Sequence, residues 1–199
     1  MTGTSFLEAE ELETLGLGSY GKNVLISRYC RMYNPGVIHF GHHVRIDDYC
    51  ILSGGEGIHI GNYVHIAAYC ALYGAGGITM EDFTCLSGRV IVYSISDDFS
   101  GNSLTNPMIP DQYKPGLTRA PVYLCKHAIV GTGSTILPGV FLAEGAAVGA
   151  HSLVKDDCEP WIIYGGTPVR PLRRRTSNII ELEKKMSYDN SEEAEKRGG

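Results

Sequence analysis

The sequence contains no run of apolar residues approaching the roughly 18 needed to span a bilayer. It also lacks an excess of positive charge: its net charge of −5 argues against a general nucleic-acid binder, a class that is usually basic. The acidic residues 1–16 show neither the basic nor the apolar region of a signal peptide. We therefore expect a cytoplasmic protein with no integral membrane segment, no nucleic-acid partner and largely reduced cysteines.

The sequence does contain a repeat of twenty residues. The pair Tyr-Cys recurs at 29–30, 49–50 and 69–70, and apolar residues around it recur at steps of six, six and eight. After an interruption, steps of six return alone. Such a fixed period is the signature of a repeat architecture. The marked apolar residues are Ile26, Met32, Phe40, Ile46, Leu52, Ile60, Ile66, Leu72, Met80, Leu86, Val92, Leu124, Val130, Ile136, Leu142, Val148 and Val154.

A period of six fits neither an α-helix nor a heptad, but it fits short strands separated by corners. The position two residues before each marker is small or β-branched, as the inside of a narrow coil requires. Three strands and three corners per turn predict an all-β, triangular parallel solenoid. Cys30, Cys50 and Cys70 then stack in an inward slot as small buried hydrophobes, with the neighbouring tyrosines as an exterior ladder. A metal site there is disfavoured because the partners at that level are aliphatic.

The two terminal segments and one internal segment do not follow the repeat. We expect an N-terminal helical cap over 1–17, with a helix at 4–16 begun by a capping box of Ser5 and Glu8. The β-helix domain covers 18–175, and 176–199 hold a C-terminal helix and a disordered tail. Residues 93–123 form a long loop that contains four prolines. Loops beyond about 15 residues are usually functional or disordered, and the apolar residues here favour function.

Three stretches carry a family resemblance: "IHIGNYVHIAAYCAL", "AIVGTGSTILPGVFLAEGAAVGAHSLVKDD" and "IYGGTPVRPLRRR". Over roughly 16–175 the chain resembles the hexapeptide-repeat acyltransferases, in the galactoside/maltose acetyltransferase-like branch that includes polysaccharide O-acetyltransferases. The resemblance implies a left-handed parallel β-helix and a homotrimer. It also implies acetyl-CoA as co-substrate in the groove between adjacent solenoids, a saccharide or nucleotide-sugar acceptor in the same cleft, and no metal.

The same resemblance implies where CoA binds. Backbone groups of the late coils would hold the pantetheine arm, and cations near the C-terminal end would meet the phosphates, which reward charge-assisted hydrogen bonds. The alternative is that the basic segment only solvates that end. The predicted CoA residues are Gly131, Gly133, Gly149, Ala150, Lys155, Thr167, Arg170 and Arg173.

The general base is where the sequence departs from its relatives, which carry a histidine just before the long loop. The matching stretch "VIVYSISDDFSG" has none, and Asp97 and Asp98 stand near that position. A carboxylate can serve if burial raises its pKa or if the acceptor is an amine; the alternative is a turn motif. Tyr93, His65 and His127 are the predicted substrate contacts, and either histidine is a substitute base, although most histidines are expected at the surface.

The function predicted from these features is transfer of an acetyl group to a sugar hydroxyl or an amino-sugar amine. Attack would be direct, in a ternary complex, as a step in surface-polysaccharide or lipopolysaccharide synthesis. One alternative is a non-catalytic binding or scaffold protein that has lost the histidine. A metal-dependent hydratase on a similar solenoid would need three converging histidines. A covalent route through Cys85 would need a basic partner that the spacing does not show.

Overall fold

The computed structural model describes residues 5–187. Short parallel strands wind into a three-sided solenoid whose faces are sheets of six, eight and six strands. The expected fold class is confirmed, and the predicted solenoid sides correspond to these three sheets.

The strands before the loop are two or three residues long, as corner-to-corner steps of six require. They are β1 (Ser19–Tyr20), β2 (Val24–Ile26), β3 (Arg31–Tyr33), β4 (Ile38–Phe40), β5 (Val44–Ile46), β6 (Ile51–Ser53), β7 (Ile58–Ile60), β8 (His65–Ile66), β9 (Ala71–Tyr73), β10 (Ile78–Met80), β11 (Cys85–Leu86) and β12 (Ile91–Tyr93).

The loop contributes β13 (Ile95–Ser96), a 3₁₀ turn (Asp111–Tyr113) and β14 (Thr118–Arg119). The solenoid then resumes and ends in a hairpin. These last strands are β15 (Val122–Leu124), β16 (Ile129–Val130), β17 (Thr135–Ile136), β18 (Phe141–Leu142), β19 (Ala147–Val148), β20 (Leu153–Val154), β21 (Ile162–Gly165) and β22 (Arg170–Arg174).

The strand pairing reproduces the sequence repeat. Sheet 1 is β1-β4-β7-β10-β15-β18, sheet 2 is β2-β5-β8-β11-β16-β19-β21-β22, and sheet 3 is β3-β6-β9-β12-β17-β20. Before the loop, partners are twenty residues apart, as in Ile38 with Ile58. After the loop they are eighteen apart, as in Val130 with Val148. The change of step from eight to six in the sequence is therefore a shortening of each coil.

The marked apolar residues fill the interior. All are buried except Met32, which is half-buried in the lowest coil. Cys50 and Cys70 are fully buried, whereas Cys30 is only half-buried because no complete coil lies beneath it. The Cys70 thiol donates to the Ser87 carbonyl at 3.1 Å, and burial raises the pKa of Cys30 to about 12. The cysteine column is structural.

The corners hold side chains in ladders along the edges of the prism. Many corner residues adopt positive φ, which non-glycine residues seldom do. At the edge between sheets 2 and 3 (the 2–3 edge), the rings of Tyr29, Tyr49 and Tyr69 stack at 5.4 and 5.1 Å, and the Arg89 guanidinium lies 5.4 Å from the Tyr69 ring centroid. The expected exterior tyrosine ladder is thus observed, and ring stacking supports the strained corners.

Both ends carry helices. The N-terminal helix α1 (Ala9–Thr14) buries Leu12 against the core, and its capping box is Glu8 with Glu11, so the predicted Ser5 box is wrong. The helix begins later because Leu7 donates its N–H to Ile26 in the first coil. A second helix, α2, covers 179–187; the prediction of a disordered tail lies outside the described residues. Within 5–187, no helix combines the length and apolarity of a membrane span.

Candidate active site

The loop folds back on the solenoid and encloses a cavity of about 820 Å³ at the edge between sheets 3 and 1 (the loop cavity). Its floor is the outer end of sheet 3, with Tyr73 and Tyr93 stacked at 5.0 Å between ring centroids. Its walls come from the two limbs of the loop, which pair through β13 and β14. The volume is in the range of small-molecule sites, roughly 300–1,000 Å³.

Asp97 and Asp98, the two predicted catalytic residues, have different surroundings. Asp97 lines the loop cavity; its Oδ2 accepts a hydrogen bond from the Asn106 N–H at 3.3 Å, and its Oδ1 has no partner within residues 5–187. Asp98 accepts from the N–H groups of Ser100 and Asn102 at 2.7 and 3.1 Å. The geometry therefore leaves Asp97 able to accept a proton and uses Asp98 for the turn.

The electrostatics of Asp98 also argue against a role as the base. Hydrogen bonds from Ser100 hold the pKa of Asp98 below its usual range. A catalytic base for a hydroxyl acceptor would need the opposite shift, toward neutrality. The expectation that burial raises the pKa does not hold for Asp98, because hydrogen bonds within the turn stabilise this half-buried carboxylate in its charged form.

Of the predicted substrate contacts, the structure brings only Tyr93 to the loop cavity. His65 lies on the outer face of sheet 2, where its Nε2 is 2.8 Å from the Asp47 carboxylate. Burial works to raise the pKa of Asp47, but hydrogen bonds from Arg45 and His65 outweigh it and the pKa is lowered. His65 is therefore held by a stable carboxylate, away from the loop cavity.

Cys85 lies beside His65, since these residues are register partners in β11 and β8. A twenty-residue spacing thus does supply a histidine neighbour, contrary to expectation. Burial nevertheless raises the pKa of the Cys85 thiol, and a protonated thiol is a poor nucleophile. The covalent route gains no support.

His127 is buried, contrary to the expectation of a surface residue. It belongs to a ladder at the edge between sheets 1 and 2 (the 1–2 edge), 5.2 Å from the Phe83 ring and 6.2 Å from that of Trp161. Glu183 from α2 covers it, with Oε2 2.8 Å from Nε2, and also accepts from Lys126 at 2.6 Å. His127 therefore anchors the C-terminal helix and lies on a different edge from the loop cavity.

This anchor predicts a pH-dependent release of α2. Burial acts to raise the pKa of Glu183, yet Lys126 and His127 lower it below its ordinary value of 4.5. A depressed folded pKa gives stability that is present above the unfolded value and lost as pH falls through the folded one. Below pH 4.5 we expect α2 to detach, with a change in the fluorescence of Trp161, the single tryptophan.

In the Glu183→Gln variant the acid-induced fluorescence step should disappear. Glu181→Gln is the matched control, because among residues 5–187 the Glu181 carboxylate pairs with Lys184 alone, on the exposed side of α2. An unchanged step in Glu183→Gln would show that the transition has another origin.

Most of the predicted CoA residues gather at the 2–3 edge. Successive corners of this edge are joined by hydrogen bonds: the His151 N–H donates to the Thr132 carbonyl, and the Thr167 hydroxyl donates to the His151 carbonyl. The predicted residues at these corners are Gly131, Gly133, Gly149, Ala150 and Thr167. Small residues leave the backbone of these corners exposed to solvent and to a ligand.

The corner N–H groups at the 2–3 edge differ from those of the first coils at the 1–2 edge. At the 1–2 edge, the second corner N–H of each of the first three coils is bound by a side chain of the next coil: Lys22 by His42 and His42 by Asn62, both at 2.8 Å, and Asn62 by Asp82 at 2.7 Å. At the 2–3 edge, the equivalent N–H groups of Gly88, Thr132 and Ala150 have no partner among residues 5–187. A line of free donors fits the amide carbonyls of a pantetheine arm.

The predicted phosphate contacts divide between two places. Arg170 and Arg173 lie on the exposed hairpin strand β22, opposite Gly165 and Ile163. No acidic group within 5–187 pairs with either guanidinium, so both are open to an anion. Lys155 lies at the other end of β20, beyond Val154, and pairs with Asp156 at 2.9 Å. The structure does not bring Lys155 to the 2–3 edge.

A second concavity, of about 540 Å³, lies on the outer face of sheet 1. It contains His39 and His59, stacked at 4.8 Å, together with Lys126 and two carboxylates. None of the predicted site residues lines it. Within residues 5–187 of one chain, no three His, Cys, Asp or Glu side chains lie close enough to hold a metal ion.

No family model matches the chain. The N-acyltransferase AntD from Bacillus cereus, in complex with dTDP and 3-hydroxybutyryl-CoA, is 51% identical with a TM-score of 0.92, over 95% of this chain and 100% of that chain. The chain belongs to the hexapeptide-repeat acyltransferases. Its expected family, left-handed β-helix fold and enzyme class are confirmed.

Other similar proteins differ in how much of the chain they match and in their sequence identity. AntD with an alanine substitution, in complex with dTDP-4-amino-4,6-dideoxyglucose and coenzyme A, superposes with a TM-score of 0.91. The dTDP-4-amino-4,6-dideoxy-D-glucose acyltransferase of Escherichia coli is 42% identical over 104 residues, 52% of this chain; the chain thus spans about half the length of that curated relative, 54%. A maltose O-acetyltransferase from Clostridium difficile, at 18% identity and a TM-score of 0.58, over 84% of this chain and 75% of that chain, shows the fold alone.

Some features of the candidate site are absent from the sequence predictions. Tyr73 had a signal, since it stands twenty residues before Tyr93 and pairs with it in register. Lys114 and Arg119 line the loop cavity but lie in an aperiodic segment with no repeat to place them. The free N–H groups of the 2–3 edge depend on which corner side chains reach the next coil, which a spacing pattern does not specify.

Proposed function

We propose that this acyltransferase moves an acyl group from acyl-CoA to the amine of a dTDP-linked 4-amino-4,6-dideoxy sugar. The observation that carries the proposal is Asp97, a carboxylate with a free oxygen in the loop cavity. It is supported by the full-length similarity to an N-acyltransferase crystallised with such a sugar and coenzyme A. The proposal replaces the open choice between hydroxyl and amine acceptors with the amine.

An amine acceptor explains why a carboxylate can replace the histidine. A sugar amine is largely protonated near neutral pH, so it must lose a proton before it attacks. Asp97 can hold the ammonium group and accept that proton, leaving the nitrogen lone pair free to attack the thioester carbonyl. No strongly basic side chain is required, because the neutral amine is itself a good nucleophile.

The 2–3 edge fits the acyl donor. Acyl-CoA supplies an activated carbonyl and a thiolate leaving group. The free N–H groups of Thr132 and Ala150 can bind pantetheine carbonyls, and that of Gly88, one coil lower, can stabilise the oxyanion that forms at the thioester. AntD was crystallised with 3-hydroxybutyryl-CoA, so we propose that the transferred group is acetyl or a short hydroxyacyl group.

The loop cavity and the 2–3 edge flank opposite ends of the short sheet-3 strands. We propose that a homotrimer completes the site, with acyl-CoA between adjacent solenoids and a cytoplasmic role in surface-polysaccharide synthesis. In this arrangement one subunit's 2–3 edge would meet a loop cavity across the groove.

The proposal is tested by following CoA release with dTDP-4-amino-4,6-dideoxyglucose and with dTDP-glucose, which offers hydroxyls only. Turnover with the amino sugar alone, and an N-acylated product by mass spectrometry, is the expected result. Acylation of dTDP-glucose would favour an O-acyltransferase instead. Binding of both substrates without turnover would favour a non-catalytic protein.

The proposed contact between Arg173 and a phosphate group of acyl-CoA can be tested by substitution. Arg173→Ala should raise KM for acyl-CoA roughly tenfold with kcat unchanged, because a charge-assisted hydrogen bond of about 1.5 kcal/mol is lost. Its neighbour Arg174 projects to the other face of β22, so Arg174→Ala is the matched control. If the lost contact is with the 3′-phosphate, KM for the dephospho-CoA thioester should be equal in the wild type and Arg173→Ala. Equal KM for acyl-CoA in all three proteins would remove Arg173 from the site.

A further inference from the structure

The loop cavity contains two cations with no role in the chemistry described above. The Lys114 side chain is only 8% exposed, and its Nζ lies 3.1 Å from the Asp111 carboxylate, which is 85% exposed. The Arg119 guanidinium lies 3.5 Å from Glu56, which is 62% exposed. Within the described part of the chain, each cation therefore pairs with one acidic residue, and that residue is a solvated carboxylate.

The loop fixes both cations relative to Asp97. Arg119 is the register partner of Ile95 in the β13–β14 ribbon, and Ser96, the residue before Asp97, pairs with Thr118. Lys114 follows the 3₁₀ turn, and its carbonyl accepts the Leu117 N–H at 3.0 Å, which closes the chain onto β14. The carboxylate and the two cations thus belong to one hydrogen-bonded frame.

We propose that Lys114 and Arg119 bind the diphosphate of the nucleotide-linked acceptor and so restrict the enzyme to nucleotide-activated amino sugars. This inference rests on the proposed function and deepens it. The acceptor carries an ammonium group at one end and two phosphates at the other. The loop cavity offers the complement, with Asp97 for the ammonium and two cations for the phosphates.

The chemistry of the two side chains suits this task. Arginine presents a planar set of donors that matches phosphate oxygens, and lysine acts as a compact charge. Because the aliphatic stem of Lys114 is covered, its ammonium group is held in place before the ligand arrives. The Asp111 and Glu56 carboxylates are both largely solvated, so each can return to water when a phosphate takes its place beside the cation.

The sides of the cavity fit the sugar between these charges. The stacked rings of Tyr73 and Tyr93 form a flat surface beside Asp97, and Leu117 and Leu137 add apolar contacts. A deoxy sugar presents an apolar edge that suits such a surface. The nucleotide diphosphate would then point to Lys114 and Arg119.

The test uses the full-length protein with Lys114→Met and Arg119→Met, which remove charge and keep much of the side-chain volume. Each should raise KM for the dTDP-amino sugar at least tenfold while kcat stays within twofold of the wild type. Calorimetric titration with dTDP alone should show the same loss of affinity. Lys22→Met, an exposed lysine of the first coil, is the matched control and should change neither quantity. Lys114→Arg, which keeps a cation, should recover much of the affinity.

The outcomes separate this inference from the proposed function. If the wild type neither binds dTDP nor acylates a dTDP-linked amino sugar, the proposed function fails. If the wild type does both and the two charge-removing variants, with thermal midpoints like the wild type's, keep its KM and its affinity for dTDP, the diphosphate inference is overturned. If one variant does not fold, the other and Lys114→Arg still decide.

Discussion

Asp97→Asn is expected to lower kcat by roughly 10²- to 10⁴-fold, the usual contribution of a positioned general base. The amide keeps the size of the carboxylate and can still accept the hydrogen bond from the Asn106 N–H. It can neither take a proton nor hold an ammonium group by charge. The measurement is steady-state CoA release with saturating amino sugar and acyl-CoA.

The pH dependence identifies the cause of that loss. In Asp97→Asn the amine must lose its proton to water, so the residual rate should rise with pH as the free amine accumulates. In the wild type the rise should be smaller, because Asp97 removes the proton within the complex. Parallel pH profiles in the two proteins would count against a role for Asp97 in proton transfer.

Asp98→Asn is the matched control for the same assay. The Asp98 side chain accepts hydrogen bonds from two N–H groups of its own turn, and an asparagine oxygen can accept them as well. We therefore expect kcat within a few-fold of the wild type. A loss as large as that in Asp97→Asn would mean that the pair acts together and that the separation drawn from hydrogen bonding is incorrect.

The solenoid was predictable because each residue's direction is tied to the period. A six-residue step fixes which side chain points inward, and a twenty-residue coil places Cys50 above Cys30 whatever the rest of the chain does. The same reasoning fixes the register of Tyr73 and Tyr93. Prediction fails outside the repeat, as at the N-terminal helix, because the start of that helix depends on a contact between Leu7 and the first coil.

The candidate site was only partly predictable for the same reason. The glycines of the 2–3 edge were named through the family resemblance, and the repeat brings them to one edge. The loop is aperiodic, and its long-range pairing places Arg119 beside Ile95. Lys155 is separated from most of the other predicted CoA residues. A strand of the solenoid runs from one edge of the prism to the next. Because β20 begins at the 2–3 edge, Lys155, which follows its last residue, lies at a different edge.

The histidines illustrate a further limit. His65 and His127 are alike as sequence features, each at or near a strand of sheet 2. Their environments differ because Asp47 comes from the coil below His65, and Glu183 comes from a helix far along the chain. Which partner covers an imidazole is a tertiary property, and no local pattern in this sequence encodes it.

Gly131→Ala is expected to destabilise the fold by about 1–3 kcal/mol, the usual cost of inserting an atom into a packed position. A Cβ at Gly131 would lie 2.5 Å from the Ala150 nitrogen and 2.7 Å from the Gly149 carbonyl carbon. Both atoms belong to the backbone of the next coil, so they can move only by displacing the coil. Denaturant unfolding at fixed protein concentration measures the effect.

Gly149→Ala supplies the matched control, since its Cβ would lie 3.3 Å from the Tyr164 carbonyl oxygen and 3.8 Å from the Gly165 Cα, both beyond the clash distances at Gly131. Its stability should stay close to that of the wild type, because mild crowding is offset by the reduced freedom of the unfolded chain. The two variants also test the acyl-donor edge. The displaced coil in Gly131→Ala moves the free N–H of Ala150, so acyl-CoA affinity should fall along with stability. If Gly131→Ala loses stability while binding acyl-CoA as the wild type does, the pantetheine does not lie along this edge.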